Sequence, residues 1–172
     1  MVTLRELRRD DLPIVNRWRA ERSVVDGVSA PFRHIGLDVD VEWFEQYLRR
    51  RGVDVRCAIC VDGADAPIGL VSLTGIDQVH RHAEFHVLIG PEDAKNKGVG
   101  TAATGAMLQH GFGDLNLHRI ALTVLAGNHR ALRVYEKIGF TREGVLRDAV
   151  FKNGSYQDLI AMALLAADFN GT

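Results

Sequence analysis

The residues best suited to acid–base chemistry lie near the middle of the chain, where Glu84 and His86 are separated by one residue. Between residues 83 and 89 apolar and polar side chains alternate, and this period of two predicts a β-strand with a carboxylate on one face. The flanking Phe85 and Val87 would remove part of the water around that carboxylate, which makes it a stronger base. Glu84 is therefore a candidate general base that takes a proton from an ammonium group through water.

Other roles for the polar residues of this strand stay open. Glu84 could instead form a structural salt bridge with Arg81 or Arg119. Two histidines of the same segment, His82 and His86, could share or replace the role of general base. The sequence thus predicts an acid–base group on this strand, with Glu84 as the first candidate.

Two short pairs of residues have the spacing of redox or metal motifs. Cys57 and Cys60 form a C-x-x-C within segment 55–61, which has the pattern of a strand. Residues three apart in a strand point to opposite faces, so these thiols are expected to be core side chains. His80 and His82 have no recognisable third and fourth ligand, so no metal is expected.

A glycine-containing loop follows the strand and could bind an anion. Gly90-Pro91 ends the strand, and small and apolar side chains recur at helical spacing from Thr101, so residues 95–100 lie where a helix begins. The first N–H groups of a helix are unpaired, and glycines let a phosphate approach the backbone closely. The chain has no Walker-type motif, and although Gly98–Ala103 fits G-x-G-x-x-A, the strand does not run straight into these glycines as a Rossmann site requires.

A second group of candidates belongs to the helix predicted after residue 128. By spacing, Tyr135 shares an apolar face with Ala131, Leu132 and Ile138, which by itself predicts a core aromatic residue. Asn128 precedes the helix, where it is either a helix cap or a cofactor contact, and one residue can do both. Periodicity alone therefore assigns no catalytic role to Tyr135.

Both segments resemble signatures of the GCN5-related N-acetyltransferases, the GNAT family. Residues 91–100, Pro-Glu-Asp-Ala-Lys-Asn-Lys-Gly-Val-Gly, are similar to the acetyl-CoA signature Pro-x-x-x-[Gln/Arg]-x-x-Gly-x-[Gly/Ala], with Lys95 where the family usually has Gln or Arg. Residues 128–140, Asn-His-Arg-Ala-Leu-Arg-Val-Tyr-Glu-Lys-Ile-Gly-Phe, resemble the second signature, Asn-x-x-Ala-x-x-x-Tyr-x-x-x-Gly-Phe. Lys95 keeps the positive charge but loses planar, bidentate phosphate recognition.

This resemblance implies acetyl-CoA as the co-substrate and assigns a role to each segment. The pantetheine arm is expected along the strand at His86 to Leu88, like an extra strand, and the pyrophosphate is expected on the backbone amides of Lys95 to Thr101. Tyr135 is the expected general acid toward the departing thiolate, and Glu84 remains the candidate base. The implied cofactor-binding residues are His86, Val87, Leu88, Lys95, Asn96, Lys97, Gly98, Val99, Gly100, Thr101 and Asn128.

The strands that must position these residues predict an α/β fold. Strands are expected at residues 2–7, 53–61, 68–74 and 83–89, the last three as an antiparallel meander. Segment 119–126 is nearly all apolar, as expected for a strand beside a parallel neighbour, and Asn153-Gly154 predicts a final hairpin. The resemblance implies the GNAT fold, a mixed and mostly antiparallel sheet of about seven strands, splayed between strands 4 and 5 and flanked by about four helices.

Four helices are expected from capping residues and apolar spacing. The first follows Asp10 or Asp11, and the second starts at Asp40. The third follows the glycine loop and ends at Gly111 and Gly113, and the fourth follows Asn128. Segment 22–37, which has no clear period, is expected to be a loop over the acceptor site.

Length and composition exclude several classes of protein. At 172 residues the chain is long enough for one core, so residues 1–172 are expected to form a single N-acetyltransferase domain. The formal net charge of −1 and the lack of a basic tail argue against nucleic-acid binding. No segment approaches the roughly 18 apolar residues of a membrane span, so a cytoplasmic enzyme without a membrane partner is expected. Exposed edges of such a sheet make a homodimer plausible.

The acceptor amine is open at this point. Residues 80–160 look most like the spermidine N-acetyltransferases and their ribosomal-protein acetyltransferase relatives, which favours a polyamine; a protein N-terminus and an amino sugar are the alternatives. A polyamine site should be acidic, and the first 70 residues lack the expected acidic loop. Acidic residues Asp26, Asp38, Asp40 and Glu42 are interspersed with Arg22, Arg33 and His34. A hypothesis of another class is an acetyl-CoA-binding sensor without turnover, which retention of both Glu84 and Tyr135 disfavours.

Overall fold

A single seven-stranded sheet forms the centre of the protein in a computed structural model that describes residues 1–94 and 97–171, without the side chain of Asp93. The strand order is β1-β2-β3-β4-β5-β7-β6. The strands are β1 (Val2–Glu6), β2 (Val55–Val61), β3 (Gly69–Asp77), β4 (His82–Ile89), β5 (Arg119–Leu125), β6 (Thr141–Lys152) and β7 (Ser155–Leu165). All neighbouring pairs are antiparallel except β4 and β5, so the predicted meander of β2 to β4 and the mixed sheet are confirmed.

Five α-helices within the described residues cover the two faces of this sheet. They are α1 (Leu12–Ala20), α2 (Arg22–Val25), α3 (Leu37–Arg49), α4 (Val99–Gln109) and α5 (His129–Ile138). One face packs against α4 and α5 in the larger hydrophobic cluster, and the other packs against α1 to α3 in a smaller one. None of the helices in the described part of the chain is long and apolar enough to span a membrane.

Successive side chains of β4 point alternately to these two faces of the sheet. Ala83 and Phe85 are buried in the larger cluster, under α4 and α5. Glu84, His86 and Leu88 point to the opposite face, where Leu88 packs on the smaller cluster. The strand predicted from period two is therefore confirmed. Its odd-numbered and even-numbered residues have different surroundings because they lie on opposite faces of the sheet.

The sheet opens between β4 and β5, as expected for the GNAT fold. The two parallel strands pair only through His82–Glu84 and Arg119–Ala121, whereas β5 pairs with β7 along its whole length. Beyond Glu84 the two strands diverge, and β4 keeps only its antiparallel partner β3. A cleft is consequently built into the middle of the sheet.

The structure corrects three details of the sequence-based helices. Residues 22–25, expected in a loop, form the short helix α2. Helix α3 begins at Leu37 rather than at Asp40, and Asp40 is fully buried, where its carboxylate pairs with Arg19. Gly111 does not end the cofactor helix, which continues as a π turn through residues 110–114. A Cβ atom at this glycine would lie 2.7 Å from Ile120 Cδ1, so close packing explains Gly111.

Candidate active site

The divergence of β4 and β5 creates a cleft of about 560 Å³, the β4–β5 cleft. Its walls are the strand segments Phe85–Ile89 and Thr123–Leu125, the first turns of α4 and α5, and the loop at residues 26–29. The predicted residues His86, Val87, Leu88, Gly100, Asn128 and Tyr135 all line this cleft. The two signature segments, far apart in sequence, therefore meet in one place.

One wall of the β4–β5 cleft is an open strand edge. From Phe85 onward β4 pairs with β3 on one side, and within the described residues no strand pairs with its other side. Such an edge presents unpaired N–H and C=O groups, to which an extended chain can bond as an additional strand. The edge therefore fits an arm with amide groups, such as pantetheine.

The N-terminus of α4 forms the end of the cleft where an anion would bind. Gly98 is the N-cap residue, and its φ of 76° lies in the left-handed region that favours glycine. At Gly100 a Cβ atom would have only Ile89 Cγ1 within reach, at 4.0 Å, so there is open space beside the first helical turn. Val99 turns its side chain into the core, Lys97 is exposed and Thr101 is half-buried. Lys95 and Asn96 lie outside the described residues.

Tyr135 reaches the β4–β5 cleft from the buried face of α5. Its ring packs edge-on against Phe85 and Phe140, at centroid distances of 6.2 and 5.7 Å. Burial raises the pKa of Tyr135 to about 12. The phenol therefore keeps its proton at every working pH, as a general acid must before it donates.

Asn128 caps α5 and also fixes the loop at the opposite side of the cleft. Its Oδ1 accepts a hydrogen bond from Ala131 N at 3.1 Å, and its Nδ2 donates to Gly27 O at 3.0 Å. The prediction of a helix cap is confirmed, and the amide also ties α5 to the loop after α2. Arg130, in the first turn of α5, also lines the cleft and adds a positive charge.

The prediction that Glu84 is partly shielded from water is wrong. Its side chain is 52% exposed, and it does not line the β4–β5 cleft. Neither predicted salt bridge forms: Arg81 donates to Asn116 O at 2.7 Å, and Arg119 pairs with Glu143 at 2.6 Å. Flanking apolar residues did not desolvate the carboxylate because they point to the other face of the sheet.

His86 lines the β4–β5 cleft, whereas Glu84 does not. Its Nε2 lies 2.9 Å from Thr74 Oγ1 and 3.9 Å from Glu84 Oε2. Partial burial lowers the pKa of His86, and the nearby positive charge of Arg56 acts in the same direction against the pull of Glu84. A neutral imidazole that lines the cleft can accept a proton, which makes His86 a candidate general base beside Glu84.

A second cavity, of about 340 Å³, lies on the other face of β4 under α1 and α3. We call it the arginine pocket, because Arg19, Arg33 and Arg56 line it together with apolar side chains of α1, α3 and the loop at residues 28–35. The segment His86–Leu88 lines both cavities. An acceptor in the arginine pocket and a cofactor in the β4–β5 cleft would therefore meet at this segment.

Sequence reasoning missed Arg56 and Lys152. Arg56 is a charged residue within an otherwise apolar strand, and this is the signal that could have drawn attention to it. Lys152 is buried, and its Nζ donates to the carbonyl oxygens of Val25, Val28 and Ala30 at 2.9, 2.8 and 2.8 Å. The lysine holds the loop that separates the two cavities, and nothing in the local sequence indicated that contact.

Comparisons with known proteins agree with this geometry. The family model of the acetyltransferase (GNAT) domain matches residues 1–141. The chain is 35% identical to the spermidine N(1)-acetyltransferase of Escherichia coli K12 over 95% of this chain and 85% of that protein. It is also 35% identical to a putative ribosomal N-acetyltransferase of Bacillus subtilis, over 76% of this chain and 68% of that protein.

The fold is similar to that of a solved structure with ligands. The crystal structure of spermidine N-acetyltransferase from Vibrio cholerae in complex with CoA and spermine has a TM-score of 0.90, with 31% identity over 97% of this chain and 96% of that one. The predicted signatures, the splayed sheet and the family match thus agree. The chain belongs to the GNAT family and is an acetyl-CoA-dependent N-acetyltransferase.

Proposed function

We propose that the enzyme transfers the acetyl group from acetyl-CoA in the β4–β5 cleft directly to the primary amine of a small acceptor in the arginine pocket. The observation that carries this proposal is the meeting of the two cavities at His86–Leu88. Co-substrate and acceptor would approach that segment from opposite faces of the sheet. No covalent enzyme intermediate is required, because proximity alone brings the two reactants together.

Backbone groups would hold acetyl-CoA, which supplies the thioester. The open edge at His86, Val87 and Leu88 would bind the pantetheine arm, and amides of residues 95–101 at the start of α4 would bind the pyrophosphate. N–H groups of the same strand edge would stabilise negative charge that develops on the reacting oxygen. Asn128 would contribute indirectly, by fixing the first turn of α5.

Two side chains would handle the protons. His86, with Glu84 beside it at 3.9 Å, would take a proton from the acceptor ammonium, directly or through water. Tyr135 would donate its phenol proton toward the departing thiolate from the opposite wall. The lowered pKa of His86 leaves the imidazole unprotonated and free to accept a proton, and the raised pKa of Tyr135 keeps the phenol protonated until it donates.

Spermidine is the first acceptor to test, since it names the activity of the Escherichia coli relative. A peptide with a ribosomal-protein N-terminus and an amino sugar are the alternatives, the first supported by the Bacillus subtilis relative. Thiol release from acetyl-CoA should be measured with each acceptor at saturating cofactor. Saturable release with any of them supports the proposal; a protein that binds acetyl-CoA but releases no thiol with any amine would be a sensor instead.

Assembly, domain extent and location complete the proposal. Residues 1–172 would act as one domain, because all seven strands belong to one sheet. A homodimer is favoured by the edge strand β6 and its neighbour, which expose the large apolar side chains Val145, Leu146, Phe151 and Tyr156. A cytoplasmic location is favoured because the reaction consumes acetyl-CoA and both cysteines are free thiols.

A further inference from the structure

The arginine pocket has an unusual charge for a site that would accept a cationic amine. Three guanidinium groups line it, and among its lining residues in the described chain there is no aspartate or glutamate. A site for a molecule with several ammonium groups should instead present negative charge. The positive charge of this pocket therefore bears on which class of acceptor it binds.

Neighbouring carboxylates neutralise only part of the positive charge. Arg19 pairs with the buried Asp40, which also accepts from Asn16. Arg56 lies 3.6 Å from Asp54, but that carboxylate is closer to Arg50, at 3.2 Å. One carboxylate is thus shared between two arginines, and the pocket keeps a surplus of positive charge.

Two of the arginines have unused donors. The Nε atom of Arg56 is buried from water and has no hydrogen-bond partner among the described residues, while its guanidinium stacks on the Trp43 ring at 5.0 Å. Arg33 is exposed at the rim and has no ion pair within residues 1–94 and 97–171. The Nε atom itself lies below the pocket surface, but the rest of the Arg56 side chain is 23% exposed and lines the pocket, so this guanidinium and that of Arg33 can bind an anionic oxygen there.

The register of the sheet fixes the distance between these donors and the reacting end. Arg56 pairs with Ser72 on β3, and Ser72 pairs with His86 on β4, so the three side chains form a row across one face. Two strand spacings, roughly 10 Å, separate the row's ends. A molecule that reaches from His86 to Arg56 would place its amine at one end and another group at the other.

We propose that the acceptor is an amine that carries an anionic oxygen group, a carboxylate or a phosphate, which Arg56 and Arg33 bind while the amine lies at His86. The proposal rests on the proposed function and names the acceptor class of that site. In the reaction the carbon–sulfur bond breaks and a carbon–nitrogen bond forms. The acceptor ammonium gives one proton to the base before attack, Tyr135 gives its phenol proton to the departing thiolate, and the proton that the acylated nitrogen then loses restores the phenol.

A series of six-carbon primary amines tests this recognition, since its members differ only in the remote group. We would compare kcat/KM for hexylamine, 6-aminohexanoate, 6-aminohexyl phosphate and 1,6-diaminohexane, with spermidine alongside. The carboxylate or the phosphate should exceed hexylamine by about 10- to 100-fold, the range of hydrogen bonds to charged groups. The better of the two identifies the anion, and a preference for the diamine or spermidine over both would overturn the proposal.

Variants of the pocket arginines test whether the preference for an anionic amine arises in the arginine pocket. Arg33→Gln and Arg56→Gln should each lower the ratio of kcat/KM for the preferred anionic amine to that for hexylamine by about tenfold. Arg33 is exposed and has no ion pair with any residue that the structure describes, so its variant should fold even if the Arg56 variant does not. Arg17→Gln, an exposed position on α1 outside the pocket, is the matched control and should leave the ratio unchanged. An unchanged ratio in both pocket variants would contradict the proposal.

A binding measurement separates this inference from the proposed function. Calorimetry on the CoA-bound enzyme should give tighter binding of N-acetyl-6-aminohexanoate or its phosphate counterpart than of N-acetylhexylamine, and Arg33→Gln should reduce the difference. If thiol release fails with every amine but this difference is found, the proposed function is wrong and anion recognition stands. If amines are acetylated but no anionic compound is preferred in turnover or in binding, only the inference is wrong.

Discussion

The β4–β5 cleft and the arginine pocket share the segment His86–Leu88 but would bind their proposed ligands with different parts of the chain. The cleft is built from an unpaired strand edge and from the glycine-containing start of α4, so its binding groups are mostly backbone. The pocket is built from side chains, with charges contributed by α1, β2 and the loop at residues 28–35. One region suits an invariant co-substrate, and the other suits an acceptor that differs between relatives.

This difference indicates which residues could change the acceptor specificity without abolishing acetyl transfer. Backbone recognition depends on strand divergence and helix position, which few substitutions alter. Side-chain recognition changes with each residue on three separate elements. This division would allow a chain 35% identical to a spermidine acetyltransferase to keep the same cofactor site and take a different acceptor in a pocket lined by three arginines.

The largest expected effect is on Tyr135, for which we propose a role in the chemical step and in neither form of recognition. Tyr135→Phe should lower kcat roughly 100-fold or more, because the proton for the thiolate is lost. The Kd for acetyl-CoA should change little, since the ring still packs against Phe85 and Phe140. Steady-state kinetics with calorimetry checks both values, and an unaffected kcat would remove Tyr135 from the mechanism.

Substitution of Lys152 tests whether the loop that separates the two cavities depends on one buried side chain. Lys152→Met should lower the free energy of unfolding by about 2–3 kcal/mol, because three carbonyl groups lose their donor. Lys137→Met, at an exposed position of α5, is the control and should change stability by less than about 0.5 kcal/mol. Denaturant unfolding measures both; equal stabilities of the two variants would mean that the loop does not need Lys152.

His86 stands where the two regions meet, so its titration should appear in turnover. His86→Gln should lower kcat about 10- to 100-fold. In the wild type the pKa of His86 lies below its usual value of 6.5, so kcat should be constant above that pH and fall as acid protonates the imidazole. The variant should lack this acidic limb. A pH profile with the same limb in both proteins would assign the titration to another group.

The smallest expected effect is a loss of affinity for acetyl-CoA on substitution of Gly100, at the start of α4 where backbone groups would bind the phosphates. Gly100→Ala adds a methyl group beside the first turn of α4, where only Ile89 lies within 4.0 Å, so the fold should tolerate it. The Kd for acetyl-CoA should rise about tenfold, since a phosphate can no longer approach as closely. Gly144→Ala on β6, which is also uncrowded, provides the comparison. Unchanged affinity in Gly100→Ala would place the phosphates elsewhere.

The same division explains what the sequence could predict. Spacing identified β4, the start of α4 and Asn128 as a cap, because these features depend on local pattern. The resemblance to the second family signature drew attention to Tyr135, which lines the cleft. Spacing did not predict that Glu84 would be half exposed, because the neighbours that seemed to cover it belong to the other face of the strand. Arg56 and Lys152 acquire their roles from contacts with segments that are distant in sequence, which no local pattern encodes.

Amide hydrogen exchange with and without CoA tests most directly whether the open edge of β4 is the cofactor site. The account predicts slower exchange in segments 85–89 and 98–104 when CoA is bound, because backbone groups gain partners there, with β1 unchanged as an internal control. CoA that binds by calorimetry yet leaves exchange in segment 85–89 unaltered would contradict the account and separate the cofactor site from the β4–β5 cleft.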